Sequence, residues 1–145
     1  MLLRGVNPGL LTQLLPGLDD VLHRFLSADA VCGGQAALAI ARVSGRAELP
    51  RLRQAFDEAS DSIERVFTAL ALCVADPASY PTLAPVLRAN VGEFYAFESW
   101  LARDVLDILR GVGHPEATAL AESLALTSAH PTGDLGRTRA AVAAL

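Results

Sequence analysis

The chain contains no lysine: its 12 basic residues are all arginine, scattered along 145 residues against 16 acidic ones, for a formal charge of −4. Phosphate binding by charge neutralisation needs a basic face, so nucleic acid is excluded as an expected partner. The nearest approach to a recognition helix, Arg137 and Arg139 near the end of the chain, has too little positive charge to read DNA. Long apolar runs are also missing. Ala30 to Ala41 and Val66 to Ala75 fall short of the roughly 18–20 residues a bilayer requires, so no membrane partner is expected. Met1-Leu2-Leu3-Arg4 resembles a signal start only faintly, because Pro16-Gly17 interrupts the apolar stretch and Asp19, Asp20 and Arg24 follow. A cytoplasmic location is the expectation. The two cysteines, Cys32 and Cys73, lie far apart in apolar stretches and read as buried thiols rather than a bridge.

Missing motifs narrow the chemistry in the same way. There is no Gly-x-Ser-x-Gly elbow, no phosphate-binding glycine loop and no Cys-x-x-Cys pair. A dimetal site on a helical bundle needs Glu-x-x-His pairs, and no glutamate has a histidine three positions on. Asp19 or Asp20 with His23 stands at metal-ligand spacing, but two ligands do not hold an ion, and a surface pair is the simpler reading. His114 and His130 each precede a proline at a helix boundary, a position for a cap. No catalytic residue, metal or cofactor is expected.

What the chain has is alanine, leucine and helical periodicity. Hydrophobic residues make up 52% and the mean hydropathy is +0.34, with no alternating β-branched run bounded by turn signals. The expectation is an all-α single domain over residues 1–145, a compact bundle of five or six helices. At this length one hydrophobic core can form without disulfides or metals. Leu10, Leu11, Leu14, Leu15, Leu18, Leu22, Phe25 and Leu26 keep helical spacing across a break at Pro16-Gly17. Asp29 to Val43 is apolar or small apart from Gln35 and Arg42, and Ser44-Gly45 stops it. Within it, Gly33-Gly34 reads either as a place where a neighbouring helix comes close or as a flexible N-terminal turn.

The third segment, with Leu49, Leu52, Phe56, Ala59, Ile63, Val66, Leu70 and Cys73 at alternating steps of three and four, reads as one helix up to Asp76-Pro77. Its charged residues, Arg53, Gln54, Asp57, Glu58, Asp61, Ser62, Glu64 and Arg65, form a solvated face. An antiparallel turn near Gly45 then places Cys32 nearer Ser60 than Cys73. After a proline-rich loop a fourth helix runs from Leu83 to Val112, and with the third it makes a long antiparallel hairpin. Pro115 opens a shorter helix to Ser128, and Leu135 to Leu145 forms a last amphipathic turn set.

Two features of the fourth helix point to function. Trp100 falls on the charged side of the helix among Glu93, Ala96, Arg103, Asp104 and Asp107, where a large aromatic is covered either by one of the chain's own short helices or, as an interface anchor rimmed by charges, by a second chain. The first reading is a helical protein–protein interaction module, a homodimer or a binder of another protein, without catalytic activity. Asn90 and Glu98 intrude into the apolar stripe beside Phe94, Tyr95 and Phe97. The second reading is a sensor domain or minor enzyme that binds a small molecule in a pocket around Glu98.

Overall fold

A computed structural model describes residues 18–26, 30–97 and 99–129, with the side chains of 18–19, 22, 25, 30–32, 91–102 and 127–129 lying outside the description. The fold is all-α: α1 Leu18–Phe25, α2 Ala30–Ser44, a 3-10 turn over Gly45–Glu48, α3 Leu49–Glu58, α4 Ser62–Ala75, a second 3-10 turn over Pro77–Ser79, α5 Tyr80–Phe97, α6 Ser99–Gly111 and α7 Pro115–Ala129. No strand occurs among the described residues. The expected segment from Leu135 to Leu145 lies outside them, as do His130, Arg137 and Arg139. The described residues group into two compact units divided after Asp76.

In the first unit α2 and α4 pack along each other. A helix buried on one side would leave a polar stripe, yet Ala36–Ala41 of α2 and Val66–Cys73 of α4 are buried at every consecutive position. These two helices are the core. Small side chains permit the close approach: a Cβ built on Gly34 would sit 2.6 Å from the Cβ of Phe67, which is itself fully buried. The spacing expected of Gly33-Gly34 is therefore present. A Cβ built on Gly33 would lie 3.0 Å from the Leu26 carbonyl oxygen, so the end of the α1 segment also comes close against α2.

Gly34 meets Phe67 near the start of α4, and Arg46, just past the end of α2, reaches Asp76, just past the end of α4, at 3.8 Å. The two helices thus run in the same direction, offset by roughly thirty residues, and α3 is the return path between them. This corrects the antiparallel reading of the whole third segment. Cys32 and Cys73 are displaced along the helix axes by roughly 14 Å at about 1.5 Å per residue, well beyond the roughly 7 Å between Cα atoms that a disulfide can bridge.

The expected single helix from Leu49 to Asp76 is instead two, because Asp61 is an N-cap. Its Oδ1 accepts from the amides of Ile63 (2.7 Å) and Glu64 (3.4 Å), while Ala59 turns out of helical geometry at ψ 118. Two orphan amides at the start of α4 are satisfied there. Arg65 fastens the corner, donating to the Ala59 carbonyl at 3.5 Å and lying 5.1 Å from the centre of the Phe56 ring. The charged face itself is where expected: Arg53, Gln54, Asp57, Glu58, Asp61 and Arg65 are exposed, with Ser62 and Glu64 half-buried. Asp61→Ala should cost about 0.5–2 kcal/mol of stability. Urea melts check this, and an unchanged midpoint would mean that solvent serves the two amides equally well.

Gly45 has φ +56 and ends α2 in the left-handed conformation that favours glycine. Beside it, Glu48 Oε2 lies 3.3 Å from His23 Nε2 and 3.8 Å from Arg51 Nε. His23 thus sets α1 beside the turn that follows α2; the Asp19 side chain, part of the expected surface pair with His23, lies outside the described residues. Cys73 is a free, buried thiol whose pKa burial pushes up to about 12 from 9.0, with the Asp76 charge adding to the shift. The sign follows from proton binding. Below pH 9 the thiol is protonated in both states; above it the unfolded chain loses a proton that the folded one keeps, so stability falls progressively between about pH 9 and 12. Melts across that range should show a shallower alkaline decline in Cys73→Ala than in wild type. Parallel profiles would show that the thiol ionises as readily folded as unfolded.

In the second unit the fourth segment is helical over α5 and α6, with Glu98 between them outside the described residues, and it starts at Tyr80 rather than Leu83. Pro81 fits the first turn, where no amide bond is required, and Pro85 lies inside the helix. The proline-rich stretch is absorbed rather than left as loop. Leu83 and Leu87 of α5, Val105, Ile108 and Leu109 of α6, Val112 after it, and Ala117, Leu120, Ala121 and Leu124 of α7 are all buried. Gly113, at φ +80, makes the turn into α7. No described helix is long and apolar enough to cross a membrane.

Candidate functional site

The residues singled out for function sit on α5 and α6. Glu93, Phe94, Tyr95, Ala96 and Phe97 belong to α5 and Trp100 to α6 by their backbone, while their side chains, and the whole of Glu98, lie outside the described residues. The candidates whose side chains are described are Asn90, Arg103, Asp104 and Asp107.

Asn90 is half-buried and its Nδ2 donates to the Val86 carbonyl one turn back at 2.7 Å. An intruding amide of this kind satisfies one of its donors within its own helix. Arg103 is exposed. Asp107 is half-buried and pairs with Arg110 at 3.8 Å. Asp104, read from the sequence as part of the charged side, is buried instead. It follows Leu101 by three and precedes Ile108 by four, a spacing compatible with the helical face that Val105 and Ile108 bury.

Polar contacts that the sequence reading missed hold the end of this unit. Arg110 Nε donates to Glu122 Oε1 at 2.9 Å, tying α6 to α7. The signal was weak, since neither residue departs from an ordinary surface charge, and exposed pairs of this kind contribute about 0.2–1 kcal/mol. His114 behaves as the cap its place before Pro115 suggests: Nδ1 accepts from the Glu116 amide at 3.3 Å and its carbonyl accepts from the Thr118 amide at 3.1 Å. Its ring centre lies 5.1 Å from that of buried Tyr80, whose hydroxyl donates to the Glu116 carbonyl at 3.4 Å. With Nδ1 bound to the helix start, His114 has a structural role, joining the beginning of α5 to that of α7.

Among the described residues no group of three or more His, Cys, Asp or Glu side chains is arranged to hold a metal ion. The largest exposure of a bulky apolar side chain among them is Leu126 on α7, at 69%. Scattered single residues of this type are ordinary on protein surfaces. No known protein family, curated protein or solved structure is significantly similar to this chain.

Proposed function

We propose that the protein is a helical interaction module that self-associates, with one flank of α6 as the contact surface and Trp100 as its anchor. The observation that carries this reading is the make-up of α6 around its lone tryptophan. Arg103 is exposed, and the Asp107–Arg110 pair follows along the same helix. Charges of this kind form the rim of a protein–protein contact, and an aromatic side chain supplies most of its free energy. Leu109 and Val112 are buried in the protein's own core, so a residue on the charged flank can be altered while that core keeps its packing.

Trp100→Glu puts a carboxylate where the partner packs. Loss of a hot spot weakens association by at least about 2 kcal/mol, roughly 30-fold in dissociation constant. Light scattering and circular dichroism at equal micromolar concentrations should show a wild-type dimer becoming a monomer of unchanged helicity. A wild type that is already monomeric, or a variant that unfolds, would assign Trp100 to the chain's own packing and overturn the reading.

A further inference from the structure

We draw no further inference here: the strongest candidate, the buried Nε of Arg88 on α5, which has no hydrogen-bond partner among the described residues, is one N–H of a guanidinium on a half-buried side chain, and one such donor does not make a ligand site.

Discussion

Phe67→Ala is expected to lower the unfolding free energy by about 3–5 kcal/mol. Phe67 is fully buried in α4 and its side chain lies against Gly34 of α2, at the closest approach of the core helix pair. Truncation removes apolar contacts and leaves a cavity beside a residue with no side chain to collapse into it. The walls are helices whose neighbouring positions are already filled: Val66, Ala69, Leu70 and Ala71 on α4 are all inaccessible to solvent. Against a total stability of about 5–15 kcal/mol for a domain, such a loss brings the first unit close to unfolding. Urea melts followed by circular dichroism should show the helical signal of this unit lost at a much lower midpoint. A loss under about 1 kcal/mol, below the range for a truncated core aromatic, would mean that α2 and α4 do not pack through this contact.

The reverse change at the same contact should also destabilise. Alanine is the better helix former by about 1 kcal/mol, so on propensity alone Gly34→Ala would be an improvement. Sterics decide the sign the other way. The added Cβ meets the Phe67 Cβ at 2.6 Å, and a Cβ, unlike the end of a long side chain, moves only with its backbone. The two helices must separate, and overpacking of this kind costs about 1–3 kcal/mol. A net loss is therefore expected. Gly111→Ala is the control: nothing lies within 4 Å of its added Cβ, and it should be neutral or stabilising by up to about 1 kcal/mol. Thermal melts of the two variants should move in opposite directions; a more stable Gly34→Ala would contradict the close approach.

Periodicity made the helical class legible and, with it, most of the buried face. Leu52, Ala59, Val66, Leu70 and Cys73 are buried as the three-and-four spacing implied. That same regularity concealed the corner at Ser60. Ala59 and Val66 remain buried on either side of the bend, so the apolar rhythm passes through it unbroken. The overlooked signal was polar: Asp61 three residues before Glu64, an acidic cap opening an apolar run. Direction was also hidden, since spacing identifies a helix's buried side but not which neighbour it meets. The parallel course of α2 and α4 depends on α3 turning back, a long-range choice that no local pattern records. Around α6, Arg103 is exposed and Asp107 half-buried, while Asp104 is buried; it stands four residues from both Trp100 and Ile108, so winding alone does not assign it to either flank.

The parallel pairing of α2 with α4 has a consequence for how the first unit assembles. Neighbouring helices that pack antiparallel can dock as soon as their short connection forms, whereas Gly34 meets Phe67 only after the intervening chain has turned back on itself. Closing that loop must precede the burial that rewards it, which places the entropic barrier early in folding and ties it to α3 as a spacer. Loop entropy grows slowly, by about 0.6 kcal/mol for each doubling of length. The exposed tip at Ser60 is accordingly a place where the chain can lengthen over evolutionary time while the α2–α4 core stays as it is.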